Sequence, residues 1–238
     1  TKSYTLLVGK SFSAEYAGYY TRADHLKEVP TTVLGKIIIR AAYPVLSMVQ
    51  DNSEYLREYN IKIIKFTALI SMPVMVGLAA IVEPTILFLL GEKWLPSADI
   101  LFYLCFAGIL FPFDLLNMNI LKVYGQMNTY LVLELFKIFL VVPVLIIGLF
   151  FGIKAMLVSI IFHTIVSFLI SAIYSGRIIN YSCLEYLNEI KTPLLLSSIM
   201  FFILTMAKVY IEFALLINLI TLVVIGVLVM ILLYELTG

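Results

Sequence analysis

Apolar residues run through this chain in blocks of membrane length, separated by short polar punctuation. Mostly apolar windows cover 63–90, 98–121, 130–151, 153–174, 193–210 and 213–234. Each approaches or exceeds the ~20 residues that carry an α-helix across ~30 Å of hydrocarbon. Residues 31–50 add a seventh block. Lipid admits only helices or closed barrels as spanning structures, and the strict alternation of barrel strands is absent. The pattern therefore predicts an all-α, polytopic membrane helix bundle.

The block at 31–50 differs from the others. At 100° per residue, Thr32, Lys36, Arg40, Tyr43, Ser47 and Gln50 fall within an arc of roughly 80°, and Ile38, Ala41, Val45 and Val49 lie opposite. A lysine or arginine at the centre of a spanning helix costs about 2.5–3.5 kcal/mol on insertion scales, so this stripe is expected to meet a wet cavity or a partner.

Composition strengthens the membrane reading. Hydrophobic residues make up 62% and charged residues 13%, against about 25% charged in soluble domains. A net charge of +1 gives no electrostatic case for a nucleic-acid partner. Cys105 falls in a span and Cys183 in a connector, which argues against a disulfide. Lysine and arginine are balanced between alternate connectors, so charge bias leaves orientation open. No Walker A sequence, zinc-ligand spacing, nucleophile elbow or dinucleotide loop is present, and no cofactor is implied.

Between the blocks, residues 1–8 read as the end of a preceding span and 9–30 as a polar, aromatic connector, with Pro30 suited to a helix start. Tyr16, Tyr19 and Tyr20 fit an interfacial belt or a carbohydrate-contacting surface. Residues 51–62 form a charged loop or surface helix. Pro73, Pro84 and Pro112 are expected to kink or break their spans. Glu83 reads as an interfacial carboxylate, Gly91 as a helix end and Trp94 as a headgroup anchor.

Several polar groups lie inside spans. Asp114 admits two readings: a functional carboxylate, or a group bonded to Asn117 or to backbone freed by Pro112. Glu134 and Lys137, three apart on one helix face, read as a self-neutralising pair. His163, with Ser159 and Ser167 a turn to either side, reads as a helix-packing group. Residues 179–192 form a polar connector, and 193–238 two spans with uncharged interiors that look like lipid-facing additions.

The succession LLVGKSFSAEYAGYYTRADHL, YPVLSMVQDN, LLGEKWLPSADILFYLCFAGILFPFDLLNMNILKVYGQMN and LELFK resembles the C-terminal half of Wzx-type oligosaccharide flippases. These form the polysaccharide-export branch of the multidrug/oligosaccharidyl-lipid/polysaccharide transporter superfamily. The likeness in motif runs from Leu6 to Tyr130. It implies a fourteen-helix, two-lobed transporter in which 9–178 belong to the C-terminal lobe and 193–238 are two accessory helices. A missing N-terminal lobe is then a partner of this chain, and the 9–30 connector faces outward.

The implied activity is translocation of a lipid-linked oligosaccharide, carried on undecaprenyl diphosphate, across the bacterial inner membrane by alternating access. On this reading Arg40 is the main diphosphate contact, Lys36 and Lys137 are supporting charges, and Tyr43, Ser47 and Asn117 line the cavity. An arginine can grip phosphate oxygens bidentately while a lysine acts as a point charge. Asp114 and Glu134 are candidates for coupling to a proton or sodium ion. The substrate and membrane lipid are the expected ligands. A cation-coupled drug or metabolite exporter of the same superfamily is the alternative, and a glycan-assembly membrane enzyme a further one.

Overall fold

The computed structural model describes residues 2–49, 53–210 and 215–237. Among these residues eleven α-helices follow in order: α1 (Lys2–Ser11), α2 (Ala14–Met48), α3 (Ser53–Ala80), α4 (Val82–Leu90), α5 (Pro96–Ile109), α6 (Phe111–Val123), α7 (Met127–Phe139), α8 (Val141–Phe151), α9 (Ile153–Ile179), α10 (Cys183–Tyr210) and α11 (Leu215–Thr237). Among the described residues, six helical stretches are long and apolar enough to cross a membrane, and α11 adds an apolar run over Leu219–Glu235. The chain is a multi-pass membrane protein.

Proline decides where the long apolar blocks break. Pro84 has no N–H to offer the carbonyl of Ala80, and α3 stops there before α4 resumes at Val82. Similar breaks separate α5 from α6 at Leu110, two residues before Pro112, and α7 from α8 at Leu140, three before Pro143. Pro73 sits inside α3 without ending it. Gly91 closes α4 at φ 86° and Gly152 closes α8 at φ 88°, a backbone region in which other residues are strained.

The expected connector at 9–30 is helical instead. Ser13 caps α2 by accepting the N–H of Tyr16 at 3.1 Å, and Glu15 sits in the first turn. Pro30 lies inside α2 rather than at its start, and the Thr31 hydroxyl donates to the carbonyls of Lys27 and Glu28 at 3.0 and 3.1 Å. Polar composition marks where the chain leaves hydrocarbon; it does not end a helix whose backbone bonds are internal. By the same logic, 53–62 and 183–192 are the opening turns of α3 and α10.

Apolar burial gives little net drive between helices in lipid, so packing of small residues, hydrogen bonds and ion pairs matter more. Phe113, Phe168 and Tyr186 join α6, α9 and α10 with ring centroids 5.2–6.4 Å apart. Helix α10 is not a loose addition. It runs parallel to α3, pairing Glu185 with Arg57 and Glu189 with Lys65 at 2.9 Å near one end, and Lys208 with Glu83 of α4 near the other. Leu196, Met200 and Leu204 are buried between the two ends.

Candidate functional site

Helix α2 turns Thr31, Gly35, Ile38, Ala42 and Leu46 into the bundle. Gly35 permits this approach, since a Cβ there would stand 2.9 Å from Leu115 Cδ1 of α6. The packed face is rotated from the expected one: Ala41 is exposed and Val45 and Val49 are half-buried. A helix buries the residues that fit its neighbour, and the small Gly35 and Ala42 fit best.

The polar stripe stays outside that contact. Lys36, Arg40 and Tyr43 are exposed and Ser47 half-buried, while Gln50 lies outside the described residues. Lys36 and Arg40 form no ion pair among the described residues. Ser47 turns its hydroxyl onto the Pro44 carbonyl at 2.9 Å. Val33, Ile37 and Met48 are exposed on the adjoining arc, so the free face is half cationic and half apolar.

A second polar group lies within the bundle. Lys137 Nζ donates to both oxygens of Asp114, at 2.7 and 2.9 Å, with side chains 9% and 19% exposed. Ser171 donates to Asp114 Oδ1 at 2.5 Å, and His163 Nε2 approaches the Lys137 carbonyl at 3.2 Å. Asn117, one turn beyond Asp114, accepts from Ser175 at 3.0 Å. Helices α6, α7 and α9 are thus joined by one polar seam.

This seam corrects one sequence expectation and removes one alternative left open. Lys137 does not pair with Glu134, which is half-buried and makes no ion pair among the described residues. Asp114 does not bond Asn117; each bonds a serine of α9. Charge compensation explains the first outcome. Meeting a carboxylate on another helix neutralises Lys137 and Asp114 together, whereas a Glu134 pairing would leave Asp114 desolvated alone. One signal was available: Asp114 and Lys137 are nearly equidistant from the Gly125 turn, and an antiparallel hairpin brings such positions to one depth. Ser171 and Ser175 of α9 were the residues missed, although with Ser167 they recur every four positions.

The predicted site residues therefore fall into two sets. Lys36, Arg40, Tyr43 and Ser47 share the free face of α2; Asp114, Asn117 and Lys137 belong to the seam; Glu134 stands apart from both. Two cavities, of about 350 and about 500 Å³, are lined by other residues.

Residues 1–99 match the family described as polysaccharide biosynthesis protein. The lipopolysaccharide biosynthesis protein WzxC of Escherichia coli K12 is 28% identical over 144 residues, covering 60% of this chain and 29% of that protein. The teichuronic acid biosynthesis protein TuaB of Bacillus subtilis 168 is 31% identical over 105 residues, covering 44% of this chain and 22% of that one. Among solved structures, the lipid II flippase MurJ in an inward closed conformation superposes with a TM-score of 0.71 at 17% identity, over 97% of this chain and 49% of its own. The matched stretch thus spans less than half of each of these proteins. The resemblance to the Wzx-type export branch is borne out, and the fold is shared with about half of the MurJ structure.

Proposed function

We propose that this chain serves as a lobe of a transporter that flips a lipid-linked oligosaccharide across the bacterial inner membrane, for surface polysaccharide or lipopolysaccharide synthesis. The fold and the family resemblance support the class of activity. The observation that carries the chemistry is the free face of α2, a helix long and apolar enough to cross a membrane, on which Lys36 and Arg40 have no carboxylate partner among the described residues.

A diphosphate cannot enter hydrocarbon uncompensated, and a helix cannot leave two cations in lipid. Each solves the other's desolvation. Arg40 takes the diphosphate oxygens, Lys36 adds charge one turn away, and Tyr43 and Ser47 offer hydroxyls further along the helix. The apolar half of the face, Val33, Ile37 and Met48, suits the polyprenyl chain that accompanies the headgroup. Lys137 joins this work only if Asp114 releases it, and release is one way a proton or sodium ion at Asp114 would couple to movement.

The test replaces Arg40 in the intact protein. Arg40→Gln is expected to abolish surface polysaccharide while protein abundance and membrane insertion stay normal. Undiminished polysaccharide from a well-expressed Arg40→Gln variant would sink the assignment.

A further inference from the structure

A cavity of about 350 Å³ opens where α4, α5, α9 and α10 meet, remote in sequence from the stripe on α2. Its size falls within the ~300–1,000 Å³ of ordinary small-molecule sites. Four charged groups line it. Glu83 and Lys208 are paired with each other; Asp99 and Lys154 make no ion pair among the described residues. Phe102 and Phe201, both half-buried with rings 6.4 Å apart, form the apolar wall.

We propose that this cavity holds the zwitterionic phosphoethanolamine headgroup of a bilayer lipid. The charge pattern selects it. A simple anion drawn to Lys154 meets Asp99 and Glu83, and a simple cation meets Lys154 and Lys208. A phosphate joined to a primary ammonium by two carbons pairs with Lys154 and Asp99 at once, and its N–H donors suit the carboxylates. An ammonium beside the Phe102 and Phe201 rings gains further attraction.

The surroundings favour a lipid over a free solute. The helix ends at the cavity carry exposed apolar side chains: Phe151 on α8 just before Lys154, and Met206 on α10. Trp94, in the turn between α4 and α5, belongs at headgroup depth. A lipid seated here would have its acyl chains alongside those residues and would bridge the lobe to α10.

The experiment measures lipid retained by the intact protein purified from nanodiscs of mixed phosphatidylethanolamine, phosphatidylcholine and phosphatidylglycerol. Phosphatidylethanolamine is expected to be enriched about tenfold over the other two, the scale of one charge-assisted hydrogen bond. Asp99→Asn/Lys154→Gln should remove that preference, while Lys93→Gln, outside the cavity, should keep it. Equal retention of the three lipids, or an unaltered preference in the double variant, would overturn the proposal. As a measurement free of folding effects, acetylation of Lys154 relative to the exposed Lys93 in the same sample, which corrects for reagent consumed by lipid amines, should be slowed by phosphatidylethanolamine and not by phosphatidylcholine; equal relative rates would count against the site. Protection by soluble O-phosphoethanolamine at the same concentration as the lipid would overturn the lipid source.

Discussion

Asp114 is the residue on which the interior depends, because it accepts from Lys137 through both oxygens and from Ser171 as well. Removing one partner of a buried ion pair strands the other charge, at a cost of about 3–5 kcal/mol. Asp114→Leu should therefore lower the thermal unfolding midpoint in detergent sharply, whereas Asp114→Leu/Lys137→Met should recover most of the loss. Glu134→Gln should shift stability by less than about 1 kcal/mol, since no ion pair among the described residues is broken. A double-mutant cycle read by thermal unfolding checks all three. Helical periodicity could say that Glu134 and Lys137 share a face. It could not say that Lys137 reaches across to α6, because a one-helix pattern carries no record of the helix opposite. The Asp114 to Lys137 pairing and the role of the α9 serines left only indirect traces for that reason, the hairpin symmetry about Gly125 and a four-residue spacing, while Arg40 was legible because its cost in lipid is a property of its own segment.

At the scale of the element, α2 and α10 are held by different means. Gly35 lets α2 lie against Leu115, and a larger side chain there overpacks the contact. Gly35→Val is expected to destabilise by about 1–3 kcal/mol and to loosen α2 from α6, seen as faster hydrogen exchange in both helices. Helix α10 is fastened to α3 and α4 near both ends by ion pairs that are partly exposed, each worth roughly 0.2–1 kcal/mol. Removing all three cations with Arg57→Gln, Lys65→Gln and Lys208→Gln should accelerate exchange along α10 and leave α9 unchanged. The sequence showed that the interior of α10 is uncharged; that its ends fasten to α3 and α4 depends on tertiary neighbours. The helical state of 14–30 was hidden for a related reason, since hydropathy reports the solvent around a segment and α2 passes from one solvent into another.

For the whole molecule, the free face of α2 divides the surface into a wet side and an oily one. Single cysteines introduced at Lys36 and Tyr43 should react with a charged maleimide in intact membranes, whereas cysteines at Leu195 or Phe202, exposed on α10, should resist it. Equal reaction at all four positions, measured by mass shift, would show that no such division exists. The bundle architecture was legible from apolar block length alone. Which faces meet each other was not, and that is what places the cations of α2 on an open surface and the cation of α7 in a closed one.

Helix α9 gives the molecule a mechanical asymmetry. It runs 27 residues, about 40 Å at 1.5 Å per residue, without a proline, while α2, α3, α8 and α10 all carry one in their interiors or first turn. The joints at Ile81, Leu110 and Leu140 each precede a proline that offers no N–H to the preceding turn, so they have fewer backbone bonds to resist flexing than the proline-free ladder of α9. Motion set off at Arg40 should then bend the jointed rods around α9 as around a keel. Asp114 and Asn117 would slide against a straight ruler of serines whose marks stand one helical turn apart.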